Sequence, residues 1–229
     1  MKKMLPSVTL IGLDCINLDR LVIAADICRQ NFDFAEVKLL TSLPSNRPEI
    51  VPINPVLCIE DYSYFVISEM HRYIHTAYAL VIQHDGFILN PDAWSDKFLE
   101  YDYIGAPWPH LSPDIRVGNG GFSLRSKKLM ELTAQKIEEN YEETGAVNCH
   151  PEDLWICRDE RLFFESFKIR FAPEHIAKKF SFEGDWRLWN RWNGQFGFHG
   201  GKWNTDISRW IAKNRDYRWN RFTGRISKK

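Results

Sequence analysis

Neither sign of charge dominates this sequence: 30 Lys and Arg face 30 Asp and Glu over 229 residues. A chain without a basic surplus lacks the electrostatic footprint of a general nucleic-acid binder, so no nucleic acid is expected as a partner. Cysteine is scarce and unpaired in pattern. Cys15, Cys28, Cys58, Cys149 and Cys157 are odd in number and form no CxxC, which excludes a disulfide framework and fits a reducing compartment. Cys149, His150 and Cys157 lack the second half-site that four zinc ligands require. Long apolar runs are missing as well. None approaches the ~20 residues of a membrane span. The run 8–13 is too short for a signal-peptide core, and Asp14 stands where a small residue would precede Cys15. The expectation is a cytoplasmic protein. Repeats, low-complexity stretches, a GxxxxGK[ST] loop and a GxGxxG fingerprint are all absent, which excludes P-loop and Rossmann dinucleotide chemistry. His71 and His75 stand four apart without the Glu of a metalloprotease helix.

What is present is a globular composition, 44% hydrophobic, with fifteen Phe, nine Trp and eight Tyr. That is enough apolar surface to offset the ordering entropy of one large domain. Residues 8–13 form a β-branched apolar run, the mark of a buried parallel strand, and 18–28 carry apolar residues at helical spacing. A second strand at 37–40, a loop to Pro55, a helix over 61–75 and a strand at 77–83 continue the alternation. Beyond come a short helix at 93–99, an aromatic strand over 101–108, a turn at 118–121, a strand at 122–125 and a helix over 127–143. A helical segment over 151–167 and a last sheet strand at 169–172 close the pattern. Alternating strands and helices predict an α/β fold with a mostly parallel sheet flanked by helices. We read residues 1–200 as the domain and 201–229 as a basic, aromatic appendage.

Four groups carry chemistry. Asp85 comes directly after the strand 77–83, where open α/β sheets bind ligands, and a carboxylate there can hold a hard divalent cation. Asp-Gly after a strand is equally a common turn. Gly118-Asn-Gly-Gly121 predicts positive φ or a close backbone approach. His150-Pro-Glu-Asp153 is a helix-start signal whose adjacent acids also suit a division of labour, one as general base and one as hydrogen-bond acceptor. His199, among glycines in Phe196-Gly-Phe-His-Gly-Gly201, could offer an imidazole to a metal or a hydrogen bond to phosphate.

His84-Asp85-Gly86, Tyr101-Asp-Tyr-Ile-Gly-Ala-Pro-Trp108, Gly118-Asn-Gly-Gly-Phe-Ser-Leu-Arg125, Pro151-Glu-Asp153 and Phe196-Gly-Phe-His199 occur in one order across residues 8–201. Together they resemble a family of bacterial and viral proteins related to GT-A-fold glycosyltransferases. The resemblance implies a GT-A-like fold and transfer of a sugar from a nucleoside-diphosphate donor, a UDP-sugar first, to a glycan or lipid-linked acceptor. It places a divalent cation, Mn2+ or Mg2+, on Asp85 and His199, although the first acid of the family's metal motif is missing. Donor contacts are expected from Asp14, His84, Asp85, Gly120, Gly121 and Lys202. Asp153 is expected as the base, with Glu152 nearer the acceptor. Surface polysaccharide synthesis is the setting the resemblance suggests.

Two other readings compete. Trp186, Trp189 and Trp192 could form a platform for sugar rings in a non-catalytic carbohydrate-binding protein. A sugar nucleotidyltransferase would need an N-terminal Gly-rich phosphate loop, which residues 12–17 do not provide. The tail 201–229 holds nine Lys and Arg against two Asp, interleaved with aromatics. It suits an anionic membrane surface, aromatic stacking on single-stranded nucleic acid, or a terminal helix packing its Trp on the core.

Overall fold

The computed structural model describes residues 2–108, 111–112, 115–183, 192–200, 216–220 and 225–229. Its centre is a six-stranded sheet of β1 (Lys3–Leu13), β2 (Phe32–Thr41), β3 (Ile50–Pro52), β4 (Tyr78–Ile82), β5 (Tyr103–Ile104) and β6 (Phe122–Ser126), in the order β3-β2-β1-β4-β6-β5. Only β6 runs against the other five, so the sheet is mostly parallel, as expected.

The period of two along the central strands explains the layers. Val8 and Leu10 of β1, with Leu80 and Ile82 of β4, pack under α1 (Leu18–Arg29). Ile11, Leu13, Ala79 and Val81 point the other way, onto Tyr62 and Val66 of α2 (Ile59–Ser68). A strand covered on both faces has no polar side, hence the continuous apolar runs. The helix α3 (Lys127–Thr144) starts where Ser126 Oγ accepts from the Leu129 N–H at 3.1 Å, and stops at Gly145, whose φ of 67° suits a residue without a Cβ.

Several expectations shift in detail. The strand expected at 37–40 is only the later part of β2, which starts at Phe32, and β3 pairs within what reads as loop. The helix over 61–75 begins at Ile59 and tightens into a 3-10 turn at Met70–Tyr73. Of 101–108 only Tyr103–Ile104 joins the ladder, because Gly105 and Pro107 interrupt it. The segment 151–167 is broken into α4 (Glu152–Leu154), a wide π-type turn at Trp155–Asp159 and α5 (Arg161–Ser166). The last sheet strand expected at 169–172 does not form. Phe171 makes one bridge to Tyr103, and Ile169 and Phe171 fill a core pocket instead of a ladder.

The aromatic content finds its use after α6 (Glu174–Phe180) and β7 (Ser181–Glu183), where the chain returns in β8 (Gly197–His199), paired in parallel with β7. Phe196 is fully buried against Phe32, Trp94, Phe98, Phe122 and Phe180, and Phe198 meets Phe87 edge-on at 4.7 Å. Edge-to-face pairs of this kind fix orientation as well as burying area, so the segment ending in His199 is anchored on two sides. The end of the tail is a hairpin, β9 (Tyr217–Asn220) with β10 (Arg225–Lys228), and not a terminal helix. Tyr217 and Ile226 are buried on α1, Gln30 donates to the Tyr217 hydroxyl at 3.3 Å, and Lys228 faces Asp26 at 3.7 Å. Lys202, Trp186 and Trp189 lie outside the described residues, while Trp192 packs at the edge of the core. No described helix is long and apolar enough to cross a membrane.

Candidate active site

The strands β1 and β4 are neighbours in register, Gly12 beside Ile82, so the segments leaving their carboxyl ends lie side by side. Here the sheet opens into a cleft of about 240 Å³ with an apolar wall of Leu13, Val56, Leu57 and Ile59 and a polar one of Asp14, Arg20, Tyr62, Gln83 and His84. Asp14 is 6% exposed, and both of its carboxylate oxygens are taken by the chain itself. Oδ1 accepts from the Ile16 and Asn17 N–H groups at 2.9 and 2.8 Å, and Oδ2 from Arg20 Nε at 2.5 Å. Asp14 thus closes the turn into α1 and holds Arg20, and the guanidinium is the group left to face an anionic ligand in the cleft. Sequence reasoning missed Arg20, whose place on the first turn of α1 reads as an ordinary helix face.

Past β4, Gln83 to Gly86 form a tight turn closed by the Gly86 N–H on the Gln83 carbonyl at 3.1 Å. The Asp-Gly pair is therefore a turn, and it also aims a carboxylate. Asp85 Oδ1 is buried and has no hydrogen-bond partner among the described residues. His199 Nε2 lies 3.7 Å from it and His84 Nδ1 3.8 Å. Burial lowers the pKa of the His84 imidazole, with Asp85 pulling the other way. His199 is held at both nitrogens, Nδ1 3.0 Å from the Asn119 amide nitrogen and Nε2 3.1 Å from Gln83 Oε1; Gln83 in turn donates to the Tyr62 hydroxyl at 2.8 Å. Gln83, Tyr62 and Asn119 were not singled out from sequence, since neutral amides and a phenol carry no motif.

The unpartnered carboxylate oxygen of Asp85 suits a hard divalent cation such as Mg2+ or Mn2+, while imidazole nitrogens are more usual ligands of zinc and the later transition metals. Among the described residues no group of three His, Cys, Asp or Glu side chains is arranged to hold a metal. Asp85 and His199 would supply two ligands at most, and both His199 nitrogens already have partners within the chain.

The turn 118–121 sits between this group and the acidic pair. Asn119 takes a left-handed φ of 65°, and the glycines after it leave room for side chains of the chain itself. A Cβ on Gly121 would come within 2.1 Å of the His199 ring, and one on Gly120 within 2.0 Å of Glu152 Oε1. The close approach expected for a ligand is thus, at both positions, made by residues of the site. The Gly120 N–H donates to Asp153 Oδ2 at 3.0 Å, and the Leu154 N–H to Oδ1 at 2.9 Å. Asp153 is half-buried, whereas Glu152 is 6% exposed and faces Arg125 Nη2 at 3.2 Å. Burial and the neighbouring Asp153 raise the pKa of Glu152, with Arg125 opposing them. The structure therefore brings together Asp14, His84, Asp85, Gly120, Gly121, Glu152, Asp153 and His199 at one end of the sheet.

Residues 48–199 match the family described as "Protein of unknown function (DUF5672)". The chain belongs to that family. The match runs from the loop before β3 to His199, so the DUF5672 region includes Asp85, Asn119, Arg125, Glu152 and Asp153, while Asp14 and Arg20 precede it. No curated protein matches the chain. Two solved structures of glycosyltransferase GlyE from Streptococcus pneumoniae TIGR4 resemble this DUF5672 chain. The apo form is 12% identical over 77% of this chain and 46% of its own, with a TM-score of 0.44. The other is 14% identical over 72% and 44%, with a TM-score of 0.41. The chain spans less than half the length of either GlyE structure.

Proposed function

We propose that the protein is a glycosyltransferase that moves a sugar from a nucleoside-diphosphate donor, a UDP-sugar first, to a hydroxyl of a glycan or lipid-linked acceptor. The observation that carries this reading is Asp85 Oδ1, a buried carboxylate oxygen without a partner at a strand end, between two imidazoles and next to an apolar cleft. A buried charge is costly unless something meets it, and a diphosphate brought in with a divalent cation is of the right kind. The five ordered motifs of the sequence support the same class. In this reading the cleft walls take the nucleoside, and Arg20 faces the phosphates. Asp85 with His199 would hold Mn2+ or Mg2+, which, when bound, offsets charge on the leaving diphosphate. Asp153, the more open of the acidic pair, accepts the proton of the acceptor hydroxyl as its oxygen bonds to the anomeric carbon. The sugar–phosphate bond breaks, and its electron pair leaves with the nucleoside diphosphate.

The test is thermal stability against a panel of nucleoside diphosphates, each with and without manganese. A ligand at 100 times its Kd stabilises by about 2.7 kcal/mol, or roughly 5–10 °C in a chain of this size. A manganese-dependent shift with one nucleotide, lost in Asp85→Ala, is the expected result. No shift with any nucleotide, together with binding of free glycans, would replace the transferase by a carbohydrate-binding protein.

A further inference from the structure

Arg125 heads the fully buried side chains by size, at 1% exposure. The register of β6 sets it beside Tyr103, whose ring lies 5.3 Å from the guanidinium carbon. Its nitrogens have three partners: Nε donates to Ser123 Oγ at 2.9 Å, and Nη2 to Glu152 Oε1 at 3.2 Å and to the Gly120 carbonyl at 3.4 Å. Ser123 Oγ donates to the same Gly120 carbonyl at 3.0 Å. Burying such a pair adds little to stability compared with apolar residues of the same volume, so its use lies elsewhere. Gly120 supplies it. With its carbonyl held by Arg125 and Ser123, its N–H points at Asp153 Oδ2. Glu152, the residue preceding Asp153, is pinned by the same guanidinium.

We infer that Arg125 is the positioning residue of the acidic pair, fixing Asp153 from one side through Gly120 and from the other through Glu152. Arg suits this and Lys does not, because a rigid planar fork can serve a carboxylate, a hydroxyl and a carbonyl at once, whereas an ammonium is a point charge. The same positive charge also opposes the rise in the pKa of Glu152 that burial brings. The inference rests on the reading that Asp153 acts on the acceptor, and the experiment separates the two.

The side-chain carboxyl 13C resonances of Glu152 and Asp153, assigned through Glu152→Gln and Asp153→Asn, are tracked from pH 3 to 9 in the full chain. In Arg125→Gln the Glu152 midpoint is expected to rise, by roughly one pH unit or more, the scale of losing one nearby opposite charge, with Arg125→Lys in between. Where Arg125→Gln does not fold, Arg125→Lys alone carries the comparison, still against wild type. A Glu152 midpoint unchanged in a folded Arg125 variant overturns the inference. Turnover, read as nucleoside diphosphate released, adds the functional arm: Arg125→Lys should lose at least tenfold in kcat, with nucleotide binding in the cleft unchanged. Wild-type turnover in Asp153→Asn would instead sink the reading of Asp153 as base, whatever the Arg125 midpoints show.

Discussion

Asp14 and Asp85 occupy equivalent places, each just beyond a central strand and each beside the same cleft, yet their carboxylates differ in what they lack. Asp14 lacks nothing: three donors from its own chain saturate it, and its work is to set the turn into α1 and aim Arg20. Asp85 keeps a buried oxygen with no donor among the described residues. Position at a strand end makes a carboxylate a candidate, and the unmet hydrogen bond separates a ligand-facing group from a structural one.

The sharpest way to break that comparison is to neutralise each aspartate. Asp85→Asn should leave the fold intact, since no donor among the described residues loses its acceptor. It should lower turnover by about 100-fold or more, the scale of losing one preorganised electrostatic contact. Nucleotide release and the manganese-dependent melting shift read this directly. A variant that keeps both would put Asp85 on the structural side with Asp14. Asp14→Ala should behave oppositely. It removes the acceptor of two helix-start amides and leaves a mostly buried Arg20 unpaired, a loss of about 2–4 kcal/mol. Calorimetry should show Tm lower by roughly 4–16 °C, and an unchanged Tm would mean Asp14 is not the staple its contacts describe.

Gly121→Ala probes what the Asp85 end owes to packing. The new methyl meets the His199 ring, and overpacking of this kind costs about 1–3 kcal/mol. The ring has to move off Gln83 and Asn119, so the manganese shift should weaken along with Tm. Stability lost without any change in the manganese response would detach His199 from the metal side of the reading.

The same contrast explains what was legible in sequence. The apolar runs of β1 and β4 are plain because both faces are covered, and Asp85, Asp153 and His199 stand out because they lie in short motifs at a strand end, a helix start and a glycine-rich segment, although the first two serve equally as a turn and a helix start. The strand expected at 169–172 shrank to a single bridge at Phe171, with its Ile and Phe buried by packing, and three-residue β3 escaped because no periodicity develops in so short a run. Gln83, Asn119 and Arg125 stayed hidden for a different reason. Each is defined by a partner far along the chain, such as Asn119 with His199 or Arg125 with Glu152, and no local spacing encodes such a meeting.

The smallest expected effect concerns Glu152, the member of the acidic pair that faces inward as Asp14 does. Burial and Asp153 outweigh Arg125, so its carboxyl pKa is higher in the folded state than in the unfolded chain. The folded state then holds this proton more tightly. The associated stability is fully present below the unfolded carboxyl range and is lost as pH rises through the folded value. Asp153 and Arg125 together set how far that loss extends. Glu152→Gln cannot titrate and keeps a carbonyl for Arg125, so its Tm should fall less than that of wild type between the ordinary Glu range and neutrality. A difference of about 2–4 °C corresponds to 1 kcal/mol in a chain of this length, which differential scanning calorimetry at matched ionic strength resolves. Parallel Tm profiles for the two proteins would mean that Arg125 cancels the cost of burial in full, leaving Glu152 as evenly satisfied as Asp14.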